Sequence, residues 1–331
     1  MPLRRLLSIA IQTVAISVIT LALLEGLVVF SLRNPAIAVI PLPILRPMHV
    51  LFDRNTIQAM PECAVYNEGL TYTLRPGQCT FSNPEFSNAF SINTLGLRDD
   101  QASLDQPKVV MIGDSITMGW GVNQDESFPS VFERKTGRLT LNAGVASYGT
   151  VRELRMLSRV NRTAMTDIVI QYSDNDLAEN EELIAGRFKI LSREGYERTV
   201  SGQAEMQRYH PGKHTLNLMV MLRNSIRARR NPAPVPSPSH EAEVFLRVIE
   251  QSPLDLSPYR VTILSLERSF IDAVRPLAKA AASPWIRQLQ FVDASGILAT
   301  VEAFYLLDDH PTRIGHEVIA QLLIDALDKQ H

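Results

Sequence analysis

Apolar positions fall into three regimes along the chain. Residues 6–30 are almost unbroken hydrophobic, with Glu25 as their single ionisable group, and they follow Arg4 and Arg5. Roughly 20 apolar residues cross a bilayer as a helix, so this run predicts a transmembrane helix over about 6–24. Glu25 then sits at the far interface, where a carboxylate costs least. On this reading residues 1–33 are a short cytoplasmic stub and membrane anchor. A cleaved signal peptide is the alternative, because Ala36-Ile37-Ala38 has the small-residue pattern of a cleavage site. Against it, the run exceeds the roughly 7–15 apolar residues usual there. Either outcome exports everything beyond Arg33, although Arg33 and Arg46 on the far flank weaken the charge argument.

Residues 34–105 form the second regime. Prolines at 35, 41, 43, 47, 61, 76 and 84 punctuate short alternating stretches such as 70–74 and 89–92, the pattern of a linker and a small β-rich segment. From Val109 onward, strand-length apolar runs at 109–112, 139–142, 167–172, 261–266 and 289–293 alternate with helix-length amphipathic stretches at 127–135, 151–160, 269–281 and 313–328. That alternation predicts an α/β domain over 106–331, a three-layer α/β/α sandwich around a mainly parallel five-stranded sheet of flavodoxin-like type. Its site is expected at the carboxyl ends of the strands. The interval 177–258 breaks the rhythm as a variable insertion. Within it, Arg227-Ala228-Arg229-Arg230 and the prolines at 232, 234, 236 and 238 read as a mobile, solvated excursion.

The chain has 331 residues, 45% of them apolar and 21% charged, enough for one sizeable core with a small accessory unit. A net charge of -2 offers no basic field, and no nucleic-acid motif is present, so a nucleic-acid partner is not expected. Cys63 and Cys79 are the two cysteines. In an oxidising compartment they are expected to close a disulfide, stabilising the fold by about 3 kcal/mol in the chain-entropy model. Two unrelated buried thiols are the alternative. No metal site is expected, since two cysteines without a nearby histidine do not supply the usual ligand set.

The sharpest local signal is Val109-Val110-Met111-Ile112-Gly113-Asp114-Ser115, which puts a hydroxyl just past a strand end, where α/β sheets carry reactive groups. Taken alone, Gly-Asp-Ser equally suits a turn or a helix cap. Three further blocks close predicted strands or open a helix: Leu141-Asn142-Ala143-Gly144-Val145-Ala146-Ser147-Tyr148-Gly149, Ser173-Asp174-Asn175-Asp176, and Leu307-Asp308-Asp309-His310-Pro311-Thr312-Arg313-Ile314-Gly315-His316. In this order the four blocks resemble those of the SGNH, or GDSL-like, hydrolases of membrane-anchored bacterial type. Asn93-Thr94-Leu95-Gly96-Leu97-Arg98 resembles the lead-in of a subgroup with an N-terminal β-region. The resemblance covers residues 66–160 and 300–328 and hardly touches the middle of the chain.

What the resemblance implies is a serine esterase or deacylase. Ser115 is the nucleophile, His310 accepts its proton, and a carboxylate orients the imidazole. Many family members place that acid three residues before the histidine. Here Leu307 stands there, so Asp308 is assigned, with Asp309 as the alternative. The N–H groups of Ser115 and Ser147 and the side chain of Asn175 would receive the oxyanion. Ser147 and Ser173 stand where the family pattern has glycines. Gly113, Asp114, Asn142 and Asp176 are expected to brace the loops, and His316 to pack on its helix. No metal or organic cofactor is implied. The expected substrate is an O-acyl ester on a cell-surface carbohydrate or lipid, met by a single-pass protein whose catalytic domain lies in the periplasm. Two alternatives remain: an O-acyltransferase using the same residues, and a non-catalytic glycan-binding scaffold on the same fold.

Overall fold

The computed structural model describes residues 3–232, 234–300 and 302–328; the side chains of Leu3, Arg4 and Asp328 lie outside the description. Among the described residues nine strands occur in chain order: β1 (Ala64–Asn67), β2 (Thr71–Leu74), β3 (Gly77–Asn83), β4 (Phe86–Ile92), β5 (Val109–Gly113), β6 (Thr140–Gly144), β7 (Asp167–Tyr172), β8 (Arg260–Ser265) and β9 (Gln290–Asp293). The α-helices are α1 (Leu3–Arg33), α2 (Leu42–Met48), α3 (Ser115–Met118), α4 (Phe128–Thr136), α5 (Thr150–Leu157), α6 (Asp176–Ile184), α7 (Arg193–Gln207), α8 (Lys213–Arg230), α9 (Pro238–Glu250), α10 (Arg268–Ala280) and α11 (Arg313–Asp328). The chain divides into two units, one comprising 1–55, 203–234 and 306–309, the other 56–202, 235–305 and 310–331.

The larger unit is built on a five-stranded parallel sheet of order β6-β5-β7-β8-β9. Its strands read as continuous apolar runs because both faces are covered. Val110, Ile112, Leu141, Ala143, Ile168, Ile170 and Ile263 join one core with α5, α9 and α10. Val109, Met111, Val169, Leu264 and Val292 join the other with α4 and α11. This is the three-layer α/β/α sandwich that the alternating pattern predicts. Numbered along the sheet chain the order is 2-1-3-4-5, and folds of this order place their ligand crevice beyond the first strand, beside the third. The register aligns the block ends there: Gly113 lies opposite Gly144, and Ile112 opposite both Ala143 and Ile170.

Two antiparallel hairpins, β1–β2 and β3–β4, supply the β-rich part. Cys63 and Cys79 are joined in a disulfide with Cα atoms 5.4 Å apart. Around it Phe81, Phe90, Leu74 and Ile92 bury themselves with Met118 and Trp120, residues of the turn that follows Ser115.

In the smaller unit, α1 contains Arg5–Arg33, 29 residues whose hydropathy reaches 2.3, long and apolar enough to cross a membrane. Residues 5–23 are exposed throughout, and burial begins at Leu24 and Glu25. Val28 and Leu32 pack with Leu45, Met48 and the partly buried Leu218 and Met221 of α8. The expectation of a mobile excursion at Arg227 is corrected here, because Arg227, Arg229 and Arg230 form the last turn of an 18-residue helix. No glycine or proline interrupts 213–230, and apolar residues recur at helical spacing, a pattern masked in the sequence by the arginines and prolines that follow.

Candidate active site

Ser115 opens α3 immediately after β5. Asp114 is the helix N-cap: its Oδ1 accepts the Ile116 N–H at 2.8 Å, which turns the carboxylate back onto the backbone. A Cβ on Gly113 would collide with Thr117 and Gln171, and one on Gly144 with the backbone of Thr117 and Met118. The two glycines therefore let the nucleophile turn lie against the ends of β5 and β6.

The Ser115 Oγ lies 2.7 Å from Nε2 of His310, within hydrogen-bond reach across 195 residues of sequence. His310 is buried and its ring is stacked on Trp120, with centroids 4.5 Å apart and planes at 14°. Trp120 in turn meets the ring of Phe81 edge-on at 4.6 Å, and its backbone N–H donates to the Ser115 carbonyl at 2.9 Å. The indole thus lies on the histidine, while the main chain of the same residue closes the turn that carries the serine. Arg98, from the lead-in segment, donates to the carbonyls of Met118, Gly119 and Val122 and stacks on Phe90 at 3.6 Å. Burial pushes its guanidinium down to about 9, with Glu126 and Asp125 opposing.

Sequence reasoning missed two organisers. Trp120 lies only five positions beyond Ser115, but an aromatic there reads as ordinary core. Gln171 sits in a strand otherwise read as apolar. Its Oε1 accepts from Asp114 N at 3.3 Å and Thr117 Oγ1 at 3.1 Å, and its Nε2 donates to Ser173 Oγ at 2.7 Å. Gln171 is buried, so a polar side chain inside a fully covered strand was the signal available.

Ser147 has φ of +58°, the left-handed conformation that favours glycine. Its Oγ accepts from Gln58 Nε2 at 2.9 Å, and its carbonyl accepts from Arg152. Neither the Ser147 N–H nor the Ser115 N–H donates to an acceptor among the described residues. Asn142 braces this turn: its Oδ1 accepts Gly144 N at 3.1 Å, and its own N–H donates to Asp99 at 2.8 Å. Burial raises Asp99 to about 6 against that bond. Asn175 occupies the N-cap position of α6, exposed, its side chain making no hydrogen bond with the described residues. Ser147 and Asn175 line one cleft of about 300 Å³ with Tyr148, Arg152, Glu179 and Lys189.

Asp308 and Asp309 belong to the smaller unit, whereas Ser115, Ser147, Asn175 and His310 belong to the larger. Asp308 is buried, its carboxylate facing Arg54 Nη1 at 3.4 Å and His49 Nε2 at 3.9 Å. Asp309 is exposed and ion-paired to the same arginine. Asp176 is buried and accepts the Thr150 hydroxyl at 3.0 Å; burial and the nearby Asp114 push its carboxyl well above the ordinary range. His316 accepts the Phe128 N–H at 3.2 Å, and burial holds it down at about 3, so it packs as a neutral ring.

No family model matches the sequence, and no curated relative matches it. Among solved structures the chain is similar to one described as a GDSL-like lipase from Bacteroides ovatus, at 13% identity and TM-score 0.39 over 68% of this chain and 53% of that one. It is similar to TesA at 10% identity and TM-score 0.39 over 67% and 99%, and to the salicylyl-acyltransferase SsfX3 from a tetracycline biosynthetic pathway at 12% and 0.38 over 70% and 57%. The chain thus spans about half the length of the Bacteroides ovatus structure and nearly all of TesA.

Proposed function

We infer that the larger unit is a serine esterase or deacylase that cleaves an O-acyl ester through an acyl-serine intermediate. One observation carries the reading: a serine hydroxyl and an imidazole 2.7 Å apart, at the sheet edge where this strand order opens its crevice. His310 takes the Ser115 proton as Oγ attacks the ester carbonyl, then returns it to the departing alcohol. The resulting oxyanion is received by the N–H groups of Ser115 and Ser147 and by the Asn175 amide, a donor that does not titrate. Asp308 is assigned as the acid that stabilises the imidazolium, in preference to Asp309, because a triad acid is buried and Asp309 is exposed. Asp114 caps its helix and takes no part in proton transfer.

The substrate assigned is an acylated carbohydrate or lipid outside the cytoplasm, with α1 holding the protein to the membrane. Transfer of the acyl group to a glycan hydroxyl instead of water uses the same intermediate; the polar side chains around the Ser147–Asn175 cleft favour retaining that second reading. A fluorophosphonate probe and a short aryl ester test the proposal on the full chain in detergent. Stoichiometric labelling and turnover, both abolished in Ser115→Ala and His310→Ala, are expected; variants that keep wild-type turnover refute the assignment. Product analysis with and without an acceptor glycan separates hydrolysis from transfer.

A further inference from the structure

We propose that α8 is a second membrane-contacting element, an interfacial helix that lays its exposed apolar row on an anionic phospholipid bilayer and engages the headgroup phosphates with its arginines. The proposal rests on the reading of α1 as a membrane span.

The distribution of exposed apolar side chains points there first. Among the described residues, the larger unit exposes only Leu191, Val235 and Leu298 of its large hydrophobic side chains. The smaller unit, though far shorter, exposes Ile37 and Val39 after α1 and, along α8, Leu216, Met219, Leu222 and Ile226 at 54, 52, 62 and 45%. Those four follow steps of three and four, so they form one stripe on the helix. Leu218 and Met221 take the other side into the core with Val28 and Leu32. The helix is therefore packed on one face and apolar on a face with no protein cover.

Charge is the second observation. Between Glu205 and Glu241 the chain contains no acidic residue, while Arg223, Arg227, Arg229 and Arg230 all fall on α8. None of the four lies within ion-pair distance of a carboxylate among the described residues. Arginines in a last helical turn do favour the helix dipole. That accounts for one or two such residues and leaves the apolar stripe unexplained. Exposed Leu, Met and Ile beside unpaired Arg is the combination that binds a lipid surface, where guanidinium groups meet phosphate and aliphatic side chains enter the acyl boundary.

The third observation sets the depth. Glu25, the single carboxylate in the apolar run, accepts from the Thr215 N–H and hydroxyl at 2.9 Å each and from the His214 N–H at 3.2 Å, capping the first turn of α8. His214 bridges Glu25 and Asp53 at 3.0 Å to each, and Lys213 pairs with Asp53. Residues 5–23 of α1 are exposed; burial begins at Leu24 and Glu25. The start of α8 is thus clamped to the level at which the lipid-facing part of α1 ends, and Leu216 follows within the same turn.

The test uses the full chain in vesicles of phosphatidylcholine alone or of equal parts phosphatidylcholine and phosphatidylglycerol. The native cysteines are tied in their disulfide. A spin label can therefore be placed through Leu222→Cys or Ile226→Cys, with Val18→Cys reporting α1 and Leu298→Cys reporting the larger unit. Accessibility to oxygen and to an aqueous nickel chelate is then compared. Expected are oxygen-favoured labels at 222 and 226, several-fold less open to nickel than the label at 298. Replacing the four arginines with glutamine should return them toward water in the phosphatidylglycerol vesicles. A label at 222 as open to nickel as that at 298, with the label at 18 still in the bilayer, overturns the proposal while sparing the span. A label at 222 shielded from both reagents marks a protein partner and likewise overturns it. A water-exposed label at 18 refutes the span itself.

Discussion

Asn175→Ala separates catalysis from folding. The Asn175 side chain is exposed and has no hydrogen bond to any described residue, and it makes no capping bond to α6. Its removal deletes no hydrogen bond to the described residues and little burial, so stability should stay within about 0.5 kcal/mol of the parent. The rate should not. If the amide N–H receives the developing oxyanion, its loss raises the barrier by about 2.7–4 kcal/mol, a fall in kcat on the order of 10²- to 10³-fold. KM should change little, because the donor acts on charge that appears only in the transition state. Asn175→Asp keeps the shape, removes the donor and sets an anion against the oxyanion, so it should be slower than alanine. Aryl-ester kinetics beside a thermal melt measure both quantities. A melting point close to that of the parent with kcat reduced less than about tenfold would refute the donor role, since that is below the range such groups contribute.

Trp120→Leu should lower kcat/KM about 2- to 13-fold, the equivalent of the roughly 0.5–1.5 kcal/mol an aromatic pair adds beyond its burial, while Trp120→Phe recovers most of it; unchanged kinetics in Trp120→Leu would show the stack on His310 to be incidental. Cys63→Ser should cost about 2–5 kcal/mol in a reversible unfolding titration, with the loss reproduced by reductant on the parent and absent when reductant is added to the variant. His214 is pulled down by burial but held above its ordinary 6.5 by its bonds to Asp53 and Glu25, so the net shift is upward. The stability it lends is complete below that ordinary value and is lost as pH rises through the raised one. Hydrogen exchange at the start of α8 should therefore quicken as pH climbs above that ordinary value and through the raised one, after correction for intrinsic rates, and His214→Gln should remove the dependence.

Much of the sheet was legible because each strand is covered on both faces and so reads as an uninterrupted apolar run. Strand 167–172 was read to the residue, and the others within one or two positions at an end. The Ser115–His310 meeting was legible only through the block order, since no local pattern joins residues 195 positions apart. Helix α8 was misread because arginine and proline content outweighed a weaker apolar period. Gln171, a polar residue in an apolar strand, left one faint signal and Trp120 none. Their significance lies in what they touch, a glutamine linking two strand ends and an indole lying on a histidine, and neither contact has a period or a motif.

Ser147 holds a left-handed turn, the conformation that favours glycine, with a side chain in place. A glycine at that point leaves the adjoining peptide planes able to swing, and an amide hydrogen that swings away is no longer a donor. Here Gln58 grips the hydroxyl and Arg152 the carbonyl, so rotating the turn would break both at once. If the Ser147 N–H receives the oxyanion, as proposed, these two bonds hold it in its aim before any ester arrives, exchanging backbone freedom for readiness.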